Sequence, residues 1–295
     1  MSDGDRWTIG RLLQWTTDYL KKSGSPSARL DAEILLAESR GCQRIQLYTA
    51  FDEDPGEAIR TKFRDLVKRR ASGEPVAYLV GRREFYSLMF QTTPAVLIPR
   101  PETEFVVLGV LDAVKQLNIT DRPVQIADVG TGSGAIAVSV AKHEPNCRIT
   151  AIDISPAAIA VAKSNTERHE VINRIELLVS DLFAAVPPER RFDIVASNPP
   201  YVTTKEMESL SPDVRNFEPH SALLGGQTGM DVIERLIVEC QERVTSGGWL
   251  IMEIGPALEG PSRERLGNDA NWTDLTITKD LAGLPRVVKV RRAVG

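Results

Sequence analysis

At 295 residues, with 42% apolar and 26% charged side chains and a net charge of −4, the chain has the make-up of a globular protein with room for one large domain and one small one. No apolar run approaches the ~20 residues that span a bilayer, the polar start Met1-Ser2-Asp3-Gly4-Asp5-Arg6 does not read as a secretory signal, and three scattered cysteines and three scattered histidines lack the spacing of a disulfide frame or a metal site. Residues 1–83 hold 15 Lys/Arg against 12 Asp/Glu and the remainder 21 against 28, so the larger part lacks the basic footprint of a duplex-DNA grip.

Residues 1–83 read as a helical domain. Thr8 caps a first segment with apolar residues at Ile9, Leu12, Leu13, Tyr19 and Leu20, close to a 3.6 period, and Gly24 as its stop. Ser27 caps a second, with Leu30, Ile34, Leu35 and Ala37 inward and Gly41 after it; a short third holds Ile45, Leu47 and Tyr48. A fourth starts at Asp54 as N-cap, with Pro55 at the first helical position and Glu57 completing a capping box. It runs through Phe63, Leu66 and Val67 and carries Arg60, Lys62, Arg64, Lys68, Arg69 and Arg70. Those charges read first as a solvated helix face, and second as a docking surface for an acidic partner. Gly73-Glu74-Pro75 breaks the helix, and Val76 to Val80 forms one more turn.

Residues 84–100 change period and read as a β-hairpin linker, with strands over Phe85–Phe90 and Ala95–Ile98 joined around Thr92-Thr93-Pro94. From 101 to 295 the expectation is a single catalytic domain. Pro101 starts a helix reaching about Leu117, and alternating strands and helices follow from Pro123, which implies a parallel sheet. Strands are expected at Val124–Val129, Arg148–Ile154, Ile175–Val179, Phe192–Ser197 and Gly248–Ile254, with a closing pair at Leu275–Lys279 and Arg286–Arg292. Helices are expected at Ala135–Ala141, after the Ser155 cap with Pro156 at its first position, and at Met230–Val244.

Gly130-Thr131-Gly132-Ser133-Gly134 joins the first of these strands to its helix. Its G-x-G-x-G spacing differs from the G-x-G-x-x-G of pyrophosphate-binding dehydrogenases, which weakens a nicotinamide reading and suits S-adenosylmethionine, a nucleoside with an amino-acid tail. Asp153 closes the second strand, where a carboxylate accepts two ribose hydroxyls. Asp181 follows the third and is placed to accept from the adenine amino group, with Leu182 packing on the ring. For any one of these acids the plainer reading is a cap or turn residue.

Asn198-Pro199-Pro200-Tyr201 follows the fourth strand. Two prolines cannot continue a strand, because neither donates an N–H and both fix φ, so the chain turns at the strand's carboxyl end, where open α/β sheets bind ligands. The Asn198 side chain and the Pro199 carbonyl then offer neutral acceptors to an –NH2 group, and Tyr201 packs against it or against the core. On the residues alone adenine, cytosine and glutamine all remain open as its bearer.

Taken together, these segments make the chain resemble the peptide chain release factor glutamine methyltransferases (the PrmC/HemK family). The resemblance rests on Asp31-Ala32-Glu33-Ile34-Leu35-Leu36, Phe85-Tyr86, Leu97-Ile98-Pro99-Arg100-Pro101-Glu102-Thr103-Glu104, the Gly130 loop and Asn198 to Tyr201. It continues through Phe217-Glu218-Pro219, Ala222-Leu223, Gly225-Gly226, Glu253-Ile254-Gly255, Asp280-Leu281-Ala282-Gly283 and Pro285-Arg286. It implies an α/β fold: a seven-stranded Rossmann-like methyltransferase sheet behind a small helical domain that recognises the substrate. It implies S-adenosylmethionine as donor, S-adenosylhomocysteine as product and no metal. The substrate it implies is the Gly-Gly-Gln glutamine of class-I release factors, methylated on the side-chain amide nitrogen in the cytoplasm by a monomer without direct nucleic-acid or membrane contact. Carried over, Gly130, Thr131, Gly132, Ser133, Gly134, Asp153, Leu182 and Asn198 hold the cofactor, and Asn198, Pro199, Pro200 and Tyr201 the glutamine; Asp181 joins the cofactor residues by its position, and Asn198, Pro199 and Tyr201 are the expected catalytic residues. Two departures stand out: Leu258 where the family often has Gln, and Leu182 where it often has Trp. The alternatives are an adenine-amino DNA or RNA methyltransferase, which needs a base-flipping surface rich in aromatic and basic residues, and a non-catalytic binding module.

Overall fold

The computed structural model describes residues 6–294, which divide into two compact units. The first runs to Gly81 and includes Ser211–Phe217; the second holds Arg82–Leu210 and the chain from Glu218 onward.

In the first unit, α1 (Ile9–Lys22), α2 (Ala28–Arg40), α3 (Arg44–Thr49), α4 (Glu57–Ala71) and α5 (Val76–Leu79) enclose a core that includes Ile9, Leu13, Leu35, Leu36, Leu47 and Phe63. The Thr8 hydroxyl accepts from the Arg11 N–H, the cap the sequence predicts. Three expectations are corrected. Gly56, at φ +85°, is the N-cap of α4; Asp54 instead accepts the Gly56 N–H and pairs with Arg60, so its carboxylate shapes the turn before the helix. The Ser27 hydroxyl donates to Asp31 and makes no cap bond. Leu30 faces outward, because Ala28, Ala32, Leu35 and Leu36 fill the inner face of α2.

Asp31 is the polar centre of this unit. It accepts from Ser25 and Ser27 and pairs with Arg70 of α4 at 2.7 Å, both partners being less than a tenth exposed. Removing one member of a buried pair strands the other charge. Asp31→Ala is therefore expected to destabilise the protein by roughly 3–5 kcal/mol; denaturant unfolding checks this, and a loss near zero would contradict it.

The second unit opens with a hairpin, β1 (Arg82–Phe85) and β2 (Leu88–Gln91), with Phe85 paired to Leu88. This corrects the expected strand over Phe85–Phe90 and its partner at Ala95–Ile98. The chain turns at Tyr86-Ser87, both at positive φ (49° and 59°), and residues 92–100 form turns and irregular backbone. A two-residue turn of this hand usually announces itself with Asn or Gly, and this one does not.

A 3-10 turn at Pro101–Thr103 leads into α6 (Glu104–Leu117). Then follow β3 (Val124–Val129), α7 (Ala135–His143), β4 (Cys147–Asp153), α8 (Pro156–Arg168), β5 (Ile175–Val179) and β6 (Phe192–Ser197). The short helix α9 (Thr204–Met207) follows, while α10 (Pro212–Phe217) belongs to the first unit. The unit ends with α11 (Asp231–Arg243), β7 (Val244–Glu253), α12 (Glu259–Gly267), β8 (Trp272–Lys279) and β9 (Pro285–Arg292). β7 starts four residues before the expected Gly248, taking the Gly247-Gly248 pair inside the strand across an irregularity in its pairing with β6.

The sheet is seven-stranded in the order β5-β4-β3-β6-β7-β9-β8. The first five strands pair in parallel, and β9 runs antiparallel between β7 and β8. Residues alternate between two cores. Ile126, Ile194 and Ile251 face a cluster with α6 and α7, whereas Ala127, Val195 and Leu250 face one with α11. A parallel sheet covered on both faces needs this continuous apolar sequence. The order reverses at β3: β4 lies on one side and β6 on the other, which opens a crevice at their carboxyl ends.

Candidate active site

A cavity of about 270 Å³ lies at that crevice. Its floor is the β3–α7 loop. Gly130, Gly132 and Gly134 all have positive φ, and a Cβ added to Gly132 would meet no heavy atom within 4 Å, so the loop leaves open space against its backbone. Asp153 lies on the wall at the end of β4. Its two oxygens accept the N–H groups of Gly132 (2.8 Å) and Ser155 (2.9 Å), which locks the carboxylate between loop and helix. Burial raises its pKa.

Beneath the loop sits Asp128, 1% exposed. One oxygen accepts from the Thr131 hydroxyl (2.7 Å) and the Ala137 N–H (3.1 Å); the other has no hydrogen-bond partner among the described residues. Burial, reinforced by the Asp153 charge, pushes Asp128 up to about 6.

The opposite wall carries Asn198 and Pro200. β6 reaches it because the Ser197 hydroxyl donates to the Val129 carbonyl at 2.7 Å, pinning the ends of β6 and β3 together. A Cβ on Gly130 would lie 3.8 Å from the Asn198 carbonyl oxygen, so the two motifs are side by side. The Asn198 amide nitrogen donates to the Thr103 hydroxyl (3.1 Å), which donates to Glu253 Oε2 (2.6 Å). The Tyr201 hydroxyl donates to Glu253 Oε1 (3.1 Å). Burial, helped by the Glu253 charge, holds the Tyr201 phenol far above its usual value, so it stays a donor; burial also raises Glu253.

A strap closes the site. The Val202 N–H donates to the Leu223 carbonyl (2.9 Å), and the Gly225 N–H to the Val202 carbonyl (2.8 Å). A Cβ at Gly225 would lie 2.7 Å from both the Pro200 carbonyl oxygen and Tyr201 Cα. Glu218, 4% exposed, accepts the Ile98 N–H (3.1 Å) and pairs with Arg100, which joins the strap to the segment before α6.

Of the residues expected from sequence, Gly130, Thr131, Gly132, Ser133, Asp153, Asp181, Leu182, Asn198 and Pro200 line this one cavity. Gly134, Pro199 and Tyr201 are not on its wall. Gly134 is the N-cap of α7, packed on Ala162, and Tyr201 lies against Gly255. Asp181 is half exposed and held by Arg235 at 2.8 Å. Leu182 sits at φ +46°, an unfavourable conformation for a leucine, with its side chain buried at the cavity. Leu258 is a core residue away from the wall. Thr103, Asp128, Glu218, Arg235 and Glu253 were assigned no role by the sequence. For Thr103, Glu218 and Glu253 the only signal was membership of motif segments.

The cationic side chains on the wall, Arg100 and Arg235, are each in an ion pair with a carboxylate. A glycine loop beside a carboxylate, with its cations already neutralised, fits a nucleoside with a cationic tail better than a pyrophosphate.

Comparison with known proteins gives the same direction. Residues 11–81 match the PrmC N-terminal domain family, and residues 111–211 the methyltransferase small domain family. A release factor glutamine methyltransferase of Rhodopirellula baltica is 47% identical over 293 residues, covering 99% of each chain. One of Koribacter versatilis is 41% identical over 97% of this chain and 99% of its own. Among solved structures, the hMettl16 catalytic domain in complex with a MAT2A 3′UTR hairpin superposes with TM-score 0.57 at 16% identity, over 78% of this chain and 82% of its own. The N-terminal domain of human METTL16 in complex with SAH gives 0.53 at 17%, over 79% and 84%. These two likenesses show the fold alone.

The folded state binds the Asp128 proton more tightly than the unfolded chain, because the folded pKa is raised. The stability this gives is full below the ordinary carboxylate range and is lost as pH rises through about 6. Asp128→Asn keeps the acceptor for Thr131 and Ala137 without the charge. The variant is expected to gain on the parent by up to roughly 3 kcal/mol at pH 8, with the gap narrowing toward pH 4. Thermal unfolding across that range measures it; a gap independent of pH would refute the buried charge.

Proposed function

The chain belongs to the release factor glutamine methyltransferases, and from that premise we propose how its cavity performs the family's reaction. The enzyme methylates the side-chain amide nitrogen of the Gly-Gly-Gln glutamine of class-I peptide chain release factors. When bound, S-adenosylmethionine supplies an electrophilic methyl group on a sulfonium. In our reading the Gly130–Gly134 loop holds its amino-acid tail, Asp153 its ribose hydroxyls, and Leu182 its ring.

An amide nitrogen is a weak nucleophile, since its lone pair is delocalised into the carbonyl. In the proposed pose Asn198 Oδ1 and the Pro199 carbonyl each accept one N–H of the glutamine amide. They orient the nitrogen and favour a geometry with the lone pair available. As the nitrogen becomes alkylated it gains positive charge, which both oxygens stabilise more in the transition state than in the ground state. The observation that carries this reading is the Asn198 amide itself: its nitrogen is committed to Thr103, which leaves its oxygen as the acceptor at the cavity. No side-chain base is required, because the alkylated nitrogen is strongly acidic. Tyr201, held protonated off the cavity wall, ties the turn at 198–200 to Glu253 of β7.

The partner is the release factor alone; the excess of acidic over basic residues beyond position 83 supports the absence of direct nucleic-acid contact. In our reading the enzyme acts as a monomer. Cys42, Cys147 and Cys240 are free thiols, in keeping with a cytoplasmic protein. The family assignment supports residues 1–83 as the substrate-recognition domain, with 84–100 a linker and 101–295 the catalytic domain. On α4, Arg60 is neutralised by Asp54 and Glu57 and Arg64 shares Glu57 at 3.7 Å, which leaves Lys68 as the stronger candidate for docking, with Arg64 beside it.

Labelled methyl transfer to a purified class-I release factor, to its Gln→Ala tip variant and to DNA tests the assignment; label in the factor alone is expected. Asn198→Ala should lower kcat by roughly a hundredfold or more, about 3 kcal/mol, and near-normal turnover would remove the acceptor pair from the mechanism. A Lys68→Glu, Arg64→Glu double variant should raise KM for the release factor severalfold with kcat little changed, and an unmoved KM would discard the docking role of α4.

A further inference from the structure

We propose that Thr103 and Glu253 are positioning residues for the methyl transfer, fixing which end of the Asn198 amide faces the glutamine. This rests on the reading of Asn198 given above. An asparagine amide is nearly symmetrical in shape but not in hydrogen bonding, since its oxygen accepts and its nitrogen donates. Turned over, Asn198 would meet the glutamine N–H with an N–H of its own. The cavity wall must therefore select one orientation.

The order of donors and acceptors does so. Both Glu253 oxygens face hydroxyl groups, Oε2 that of Thr103 and Oε1 that of Tyr201, and act as acceptors. The single hydroxyl proton of Thr103 therefore points to Glu253 Oε2, 2.6 Å away. What Thr103 has left for Asn198 is lone pairs alone, and only the NH2 end of the amide can face them, at 3.1 Å. Flipping Asn198 would set its oxygen against the Thr103 oxygen. Thr103 and Glu253 are 5% and 1% exposed, so no bulk water is at hand to repair the mismatch. The second oxygen of Glu253 receives the Tyr201 hydroxyl proton at 3.1 Å, so one carboxylate sets both the amide and the ring. The carboxylate comes from the last residue of β7 and the hydroxyl from the turn before α6, both in the second unit.

The test is steady-state methyl transfer to the intact release factor. Thr103→Val keeps the shape and removes the hydroxyl; it should lower kcat by roughly tenfold to a hundredfold while leaving KM for the factor and the binding of S-adenosylmethionine within about twofold. Thr103→Ser restores the hydroxyl and should restore kcat. Glu253→Gln, which can donate as well as accept, should lower kcat in the same KM-neutral way. The decisive arm repeats Thr103→Val in an Asn198→Asp background, where a carboxylate presents an acceptor whichever way it turns; there the loss should shrink to about twofold or less. An equal loss in both backgrounds, or a Thr103→Val enzyme at near-parental kcat, would overturn the proposal. Should Asn198→Ala itself turn over normally, the acceptor reading of Asn198 is what has failed.

Discussion

The geometry of the site depends on where β6 stops. The parallel register with β3 sets Ser197 opposite Val129, and the Ser197 hydroxyl clasps the Val129 carbonyl. One residue later the backbone runs into Pro199 and Pro200, which cannot extend the ladder. Asn198 is thus left at the rim beside Gly130, at the point where the sheet reverses its order. A strand one residue longer or shorter would turn that side chain to the other face. The methyl-donor loop and the acceptor motif meet through sheet register, which is fixed far below the cavity by Ile126, Ile194 and their neighbours in the core.

Much of the second unit was legible because its signals are local. β3, β5 and β6 fall on the predicted residues, since short apolar runs bounded by Gly, Pro and Asp are what buried parallel strands require. Ser155 and Pro156 gave the start of α8 to the residue. What misled were positions where a polar side chain had two local uses. Asp54 looked like a helix cap and serves the turn before it; Ser27 looked like a cap and serves Asp31. The hairpin turn at Tyr86-Ser87 carried no glycine or asparagine, so only the pairing of Phe85 with Leu88 reveals it.

The site was half legible, and the dividing line is sequence distance. The Gly130 loop and the Asn198 motif are short runs whose spacing carries their chemistry. Thr103 meets Glu253 across 150 residues, and Arg100 meets Glu218 across 118. No local pattern encodes such a contact; it exists only once α6, β6 and β7 are stacked. Tyr201 shows the same limit from the other side: its place after the prolines marked it as a site residue, but its ring lies off the cavity wall, held by a carboxylate from β7.

Gly225 carries a consequence for which changes the chain can tolerate. It touches the Pro200 carbonyl and Tyr201 Cα through bare backbone, with no room for a methyl group. Flexible side chains nearby can shift to accommodate a new neighbour, but here main chain rests on main chain, and the slightest addition must be absorbed by the proline pair itself. Variation is thus constrained at a position outside the cavity wall. A single added carbon at Gly225 would displace the reacting motif.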